Sequence, residues 1–101
     1  MSEIIRTEAL VVVKPGEDIV ASLAGSLRED MKGVIGSGAR DVVLDLSGVE
    51  MIDSVGLGVL IATYNTLERV GGGISIINAT RDILDLFSNM RLDRYFKIVA
   101  S

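Results

Sequence analysis

Apolar positions along the chain follow two alternating periods, one typical of strands and one typical of helices. Short runs rich in β-branched residues predict strands at residues 10–13, 41–46, 74–77 and 96–99. The second and third runs are almost continuously apolar between turn signals, which is typical of interior strands covered on both faces. Ile4 and Ile5 either extend the first strand or begin a hairpin, and Pro15 and Gly16 form a turn after it.

Three segments between these strands carry apolar residues at helical spacing. The first covers residues 22–35 and begins at Ser22, or one turn later at a capping box that starts with Ser26. The second begins at Ser54 and is apolar on two sides, so we expect it to be largely buried before it ends at the glycines of residues 71–73. The third begins with Thr80 as its N-cap and presents one apolar face, formed by Ile83, Leu86, Phe87 and Met90.

This order of elements predicts the fold class. Strands that alternate with helices are joined by right-handed crossovers and form a mostly parallel sheet with helices on its faces. The chain has 101 residues, enough for one hydrophobic core, so we expect a single α/β domain over residues 1–101. We also expect the core to contain several large side chains, namely Met31, Met51, Tyr64, Phe87 and Met90.

Composition excludes several classes of function. The chain has no His, Cys or Trp, which removes the ligands of most zinc sites, the imidazole and thiolate groups of common catalytic sites, and every disulfide. Ten Lys and Arg against 14 Asp and Glu give a formal charge of −4, and the basic residues are scattered, so nucleic acid is not an expected partner. The N-terminus does not resemble a signal peptide and no apolar run has membrane length, which predicts a cytoplasmic protein without a membrane partner.

The segment Asp53-Ser54-Val55-Gly56-Leu57-Gly58 lies where a strand and its following loop lead into the second helix. Ser54 is placed to be the N-cap, with its hydroxyl accepting a hydrogen bond from a backbone N–H of the first turn. The two glycines are less easily explained, because each costs a helix interior about 1 kcal/mol relative to Ala. They therefore indicate a close approach to the start of this helix by a neighbouring strand or by another protein.

Known catalytic motifs do not fit this segment. A nucleophile elbow needs Gly two positions before the serine and a His elsewhere, but Ile52 occupies that position and the chain has no His. A dinucleotide fingerprint needs Gly or Ala where Ile61 stands, and a phosphate-binding loop needs a Lys that is absent between Lys32 and Lys97. No catalytic residue or cofactor is therefore predicted.

The remaining chemistry is that of a hydroxyl exposed at a helix N-terminus. The positive end of the helix dipole favours a phosphate at this place. A phosphoserine adds about −1.5 to −2 charges at neutral pH, which would oppose docking on small apolar residues beside it. The segment thus predicts a protein-binding switch, with the catalytic step supplied by another protein.

This segment, preceded by Val42-Val43-Leu44-Asp45-Leu46-Ser47-Gly48-Val49 and followed by a helix and three glycines, resembles the STAS domain and, within it, the bacterial anti-sigma factor antagonists. The resemblance implies a small, mixed, mostly parallel sheet of four to five strands flanked by helices. It also implies that Ser54 is phosphorylated by an anti-sigma factor that is a serine kinase, with a phosphatase as a further partner. The unphosphorylated form would bind the anti-sigma factor, and phosphorylation would release it.

The partner-binding residues implied by the resemblance are Gly16, Asp18, Asp53, Ser54, Val55, Gly56, Leu57 and Gly58. The chain departs from the family pattern at three places. Val55 stands where many members have a second serine, and the loop of residues 15–20 differs from the usual Gly-x-Leu/Ile-Asp, so that Asp18 takes the acidic role in uncertain register. The family's last helix has no counterpart before Ser101.

Two alternatives remain open at this point. The first is a STAS adaptor or ligand-sensing module of chemotaxis or two-component signalling, in which Ser54 acts only as a helix N-cap. The second is an enzyme, for which a receiver-like phosphoacceptor would need an acidic pair at the end of the first strand. The chain has Val13-Lys14-Pro15 there, which makes the enzyme the weaker alternative.

Overall fold

The structure is a computed structural model that describes residues 2–7 and 10–99. Within these residues the strands are β1 (Glu3–Thr7), β2 (Leu10–Lys14), β3 (Asp41–Asp45), β4 (Gly73–Ile77) and β5 (Lys97–Ile98). The helices are α1 (Ala21–Gly36), α2 (Ser54–Arg69) and α3 (Arg81–Asn89), and a short 3-10 turn covers Leu92–Arg94. The predicted alternation of strands and helices is confirmed, and the residues around Ile4 and Ile5 form β1, the first strand of a hairpin.

The five strands form one sheet in the order β1-β2-β3-β4-β5. β1 pairs with β2 in the antiparallel direction, and every other pair is parallel, with Val13 beside Leu44 and Leu44 beside Ile76. Each parallel crossover therefore moves one strand further in the same direction. Because such crossovers are right-handed, this order places all three helices on the same face of the sheet.

Coverage of both faces of the interior strands was a wrong prediction. In β3, Val42 and Leu44 are buried whereas Val43 and Asp45 are only half-buried, and β4 shows the same alternation. Side chains of a strand alternate between faces, so the buried set is the face beneath the helices. A continuous apolar run indicated two covered faces, but the strand order leaves one of them partly open.

Of the three predicted N-caps, only that of the third helix is confirmed. α3 begins as expected, because the Thr80 hydroxyl accepts a hydrogen bond from the backbone N–H of Ile83 at 3.2 Å. α1 instead begins at Ala21. Its N-cap residue is Val20, whose side chain makes no capping hydrogen bond. Ser22 and Ser26 are therefore helical residues, and neither starts α1.

The core lies between the helices and the covered face of the sheet. Met31 and Phe87 are buried as predicted, and Tyr64 packs half-buried against the core. Placing Met51 and Met90 in the core was wrong, since they are 55% and 52% exposed. The second apolar side of α2 is likewise less buried than expected, because Val55 and Ala62 are exposed.

Candidate functional site

The segment of residues 53–58 lies at the carboxyl end of the central strand, the edge at which parallel α/β sheets commonly bind ligands. Asp53 is the N-cap of α2, and its Oδ1 accepts a hydrogen bond from the backbone N–H of Gly56 at 2.8 Å. Ser54 is the first residue of the helix. The prediction that Ser54 caps α2 is thus wrong by one residue. Asp is as good an N-cap as Ser, and Asp53 occupies the N-cap position.

The second oxygen of the Asp53 carboxylate serves a different helix. Oδ2 accepts a hydrogen bond from the backbone N–H of Ala21, the first residue of α1, at 2.9 Å. One carboxylate therefore satisfies donors at the starts of two helices, which explains why α1 needs no cap of its own. The N–H of Gly56 and then that of Ala21 hold the pKa of the Asp53 carboxyl below its ordinary value of 3.8.

Asp18 plays a similar part between two loops. Its Oδ1 accepts hydrogen bonds from the backbone N–H groups of Glu50 at 2.8 Å and of Met51 at 3.1 Å. The next residue, Ile19, donates from its N–H to the Met51 carbonyl at 3.0 Å and accepts from the Asp53 N–H at 3.2 Å. The loop before α1 and the loop before α2 are therefore joined by a short ladder of backbone bonds.

Glycines allow this close approach of the two loops. A Cβ on Gly56 would overlap the carbonyl oxygen of Ile19, and one on Gly48 would lie 3.0 Å from that of Gly16. Gly16 and Gly48 also have positive φ angles of 77° and 80°, which favour glycine. The close neighbour that the sequence predicted for Gly56 is thus the loop before α1 of the same chain.

Ser54 is exposed beside apolar side chains. Met51 and Val55 are 55% and 47% exposed, and Gly58, one turn along the helix, is also exposed with open space where a Cβ would be. We call Met51, Ser54, Val55 and Gly58 the docking surface. In the part of the chain that the structure describes, the Ser54 hydroxyl makes no hydrogen bond, so its oxygen is available for reaction.

The other predicted binding residues support this surface from below or beside it. Gly56 and Leu57 are buried, so neither presents a side chain to a partner. Asp18 and Asp53 are half-buried, and their carboxylate oxygens accept hydrogen bonds from backbone N–H groups. Sequence reasoning missed Met51 as a surface residue, because an isolated methionine next to apolar residues carries no signal that separates a core position from an exposed one.

The surroundings of the docking surface are acidic. A cleft of about 460 Å³ next to it is lined by Asp18, Glu50, Met51, Thr80 and Asp82. No group of three or more potential metal-ligating side chains is found among residues 2–7 and 10–99. Within the same residues no helix has the length and apolar character needed to cross a membrane.

Comparison with known proteins identifies the family. The sequence model of the STAS domain family matches residues 2–101. The chain belongs to the STAS domain family. Its relatives are anti-sigma factor antagonists: the Anti-sigma-B factor antagonist of Bacillus subtilis (strain 168) is 33% identical over 86 residues, which cover 76% of this chain and 78% of that protein.

Two further relatives extend this comparison. A candidate anti-sigma factor antagonist of Thermotoga neapolitana is 33% identical over 64 residues, which cover 63% of this STAS chain and 57% of that protein. The crystal structure of a candidate anti-sigma factor antagonist from Thermotoga maritima has the same fold, with a TM-score of 0.92 and 23% identity over 99% of this chain and 86% of that chain. The predicted fold class is therefore confirmed.

Proposed function

We propose that this STAS protein is an anti-sigma factor antagonist that binds an anti-sigma factor through the docking surface and is released when Ser54 is phosphorylated. The observation that carries the proposal is the position of Ser54: it is exposed in the first turn of α2, directly before the exposed Val55, while Asp53 performs the capping. A modification of the hydroxyl therefore leaves the helix cap intact.

The docking surface is suited to a switch by charge. When a partner covers exposed apolar side chains, binding becomes more favourable by about 25 cal/mol per Å² of apolar surface removed from water. A phosphate on Ser54 would add its charge to the docking surface, and its desolvation would cost more than the apolar contacts return. The start of α2 would tolerate the new charge, because the helix dipole is positive at this end.

The catalytic groups for phosphoryl transfer would come from the partner. A serine hydroxyl needs a base to accept its proton, and this chain has no His. Asp53 is adjacent, but both of its oxygens accept backbone hydrogen bonds and its pKa is lowered, which makes it a poor proton acceptor. An anti-sigma factor with serine kinase activity supplies both the base and the ATP, and a separate phosphatase would restore the free hydroxyl.

The decisive experiment incubates the protein with ATP and the anti-sigma factor kinase encoded in the same genome. We expect one phosphate per chain, mapped to Ser54 by mass spectrometry, and none on Ser54→Ala. In binding measurements, Ser54→Ala should retain affinity, whereas Ser54→Asp should lose at least about tenfold, equal to about 1.4 kcal/mol. Ser88→Asp is a matched control, because it adds the same charge at an exposed serine of a different helix, α3.

A phosphate on another serine, or unchanged affinity in Ser54→Asp, would refute this proposal. The adaptor or ligand-sensing alternative assigned Ser54 only the role of helix cap. Asp53 holds that position, so the capping role is wrong, and the two alternatives are separated by the binding of Ser54→Asp.

A further inference from the structure

A second cavity lies near the opposite end of α2. It has a volume of about 280 Å³, and its walls come from the last part of α2 and from the segment after α3. Tyr64, which lines it, is ten residues after Ser54, or about 15 Å along the helix axis. The residues that line the cavity include Tyr64, Asn65 and Glu68 of α2 and Leu92, Tyr95 and Phe96 of the later segment.

Aromatic rings form two walls of this cavity. The ring centroids of Tyr64 and Tyr95 are 5.4 Å apart with an angle of 59° between the planes, and Tyr64 meets Phe96 edge-on at 6.0 Å. Phe96 in turn packs against the buried Phe87 at 5.5 Å. The two tyrosines are therefore supported by the core, although Tyr95 is 47% exposed.

The backbone after α3 holds Tyr95 in this place. Arg91 has a positive φ of 58° and leads into the 3-10 turn of Leu92–Arg94. The N–H groups of Tyr95 and Phe96 both donate to the Leu92 carbonyl at 3.0 Å. Leu92 is itself buried, so an exposed tyrosine is presented on an anchored turn.

The charge of the cavity is negative. Of the cavity-lining residues that the structure describes, Glu68 alone carries a charge. Its carboxylate lies close enough to the Tyr64 phenol to raise the pKa of that hydroxyl above its ordinary value of 10.0. A carboxylate beside the electron-rich faces of two tyrosines is the combination that attracts organic cations.

One ring of the pair already lies close to a cation of the same chain. The Arg94 guanidinium carbon lies 5.4 Å from the centroid of Tyr95, yet Arg94 does not line the cavity. A neighbouring cavity of about 460 Å³ shares Tyr64 and Tyr95 but includes both Asp41 and Lys97, whose charges cancel. Of these two cavities, the one with Glu68 therefore has the net negative charge. The acidic cleft beside the docking surface has carboxylates but, among the lining residues that the structure describes, no aromatic ring.

We propose that the cavity bounded by Tyr64, Glu68 and Tyr95 binds a small organic cation, an alkylated ammonium group whose apolar surface contacts the rings and whose charge faces the carboxylate. The volume is at the lower limit for ligand pockets, which fits a compact ammonium group better than a large ligand. Asn65 supplies an amide at the rim for a neighbouring polar atom of the ligand. This assignment is independent of the function proposed for Ser54.

The test is a titration with tetramethylammonium chloride, followed by NMR of the tyrosine ring signals. We expect saturable shifts with a dissociation constant of about 1 to 10 mM, as a weak, partly exposed cation–π site predicts. Potassium chloride controls for ionic strength, and tert-butanol has a similar shape without the charge. Neither should produce saturable shifts of the Tyr64 and Tyr95 rings.

Two variants and one control locate the site. Glu68→Gln should weaken binding at least about fivefold, and Tyr95→Leu about tenfold. Glu50→Gln removes the same charge near the docking surface, and it should leave the titration unchanged. The proposal is overturned if the wild-type protein shows no saturation below about 100 mM, if tert-butanol gives equal shifts, or if Glu68→Gln binds like the wild type. Should Tyr95→Leu unfold, Glu68→Gln alone decides.

Discussion

The two ends of α2 use their residues in opposite ways. At the start, backbone donors and glycines hold the helix against the loop before α1, and the side chain of Ser54 is left free. Near the end, side chains rather than backbone groups meet the neighbouring segment, and they leave a cavity between Tyr64 and Tyr95. One helix thus carries a surface that is fixed from beneath and a pocket that depends on side-chain packing.

The largest loss of stability is expected when the space at Gly56 is filled. In Gly56→Ala the new methyl group would overlap the Ile19 carbonyl, and backbone cannot move away as a flexible side chain can. We expect a loss of about 3 kcal/mol in the free energy of unfolding, as for severe overpacking.

Gly58→Ala is the matched control, because nothing lies within 4 Å of its Cβ position. A gain of up to about 1 kcal/mol is expected there from helix propensity. Urea unfolding of both variants measures the difference. Equal stability of the two would mean that the contact between Gly56 and Ile19 does not hold the start of α2.

Removal of the shared cap is the next largest change. Asp53→Ala removes the acceptor for a backbone N–H at the start of α1 and for another at the start of α2. We therefore expect the melting temperature to fall by about 4–8 °C. Ser54→Ala removes no cap, so its melting temperature should stay within about 2–4 °C of the wild type. Differential scanning calorimetry gives both values, and a larger effect for Ser54→Ala would return the capping role to the serine.

The charge of Asp53 adds a dependence on pH. Folding lowers the pKa of this carboxyl below 3.8, so its ionised form stabilises the fold above that pH, and the contribution is lost as the pH falls through the pKa of the folded protein. Asp53→Asn keeps a capping oxygen without the charge. Its stability should therefore decline less than that of the wild type between about pH 5 and pH 2, as measured by urea unfolding. Parallel declines would contradict this assignment.

The smallest effect is expected at the other end of α2. Tyr64→Phe keeps the ring contacts with Tyr95 and Phe96 and removes only the hydroxyl next to Glu68. The melting temperature should change by less than about 4 °C, because the lost hydroxyl belongs to a half-buried side chain at the edge of the core. Calorimetry of this variant beside Asp53→Ala compares the two ends directly, and a larger loss in Tyr64→Phe would reverse the comparison.

Much of the fold could be predicted from local periodicity. The β-branched runs gave the interior strands, and the spacing around Phe87 together with Thr80 gave α3 and its cap. Coverage of Val43 could not be predicted in this way, because it depends on strand order. Order decides whether successive right-handed crossovers place their helices on one face or on both.

Within the candidate site, the sequence assigned the cap of α2 to the wrong residue. Asp53 and Ser54 are neighbours of equal capping ability, so no local rule assigns the cap to one of them. The Asp18 carboxylate accepts hydrogen bonds from Glu50 and Met51, which are more than 30 positions away. Contacts at this separation cannot be predicted from local spacing along the sequence. The exposure of Met51 follows from the same packing of the two loops.

The doubly used carboxylate of Asp53 has a consequence for how such a protein can evolve. Because Asp53, Asp18 and Gly56 complete the frame with backbone partners, substitutions at Met51, Val55 and Gly58 leave that frame intact. If the docking surface binds a partner as proposed, related copies could acquire different partners through changes at these three exposed positions, at little cost in stability. The residues that hold the two loops together would then be inherited unchanged while the residues in contact with the partner diverge.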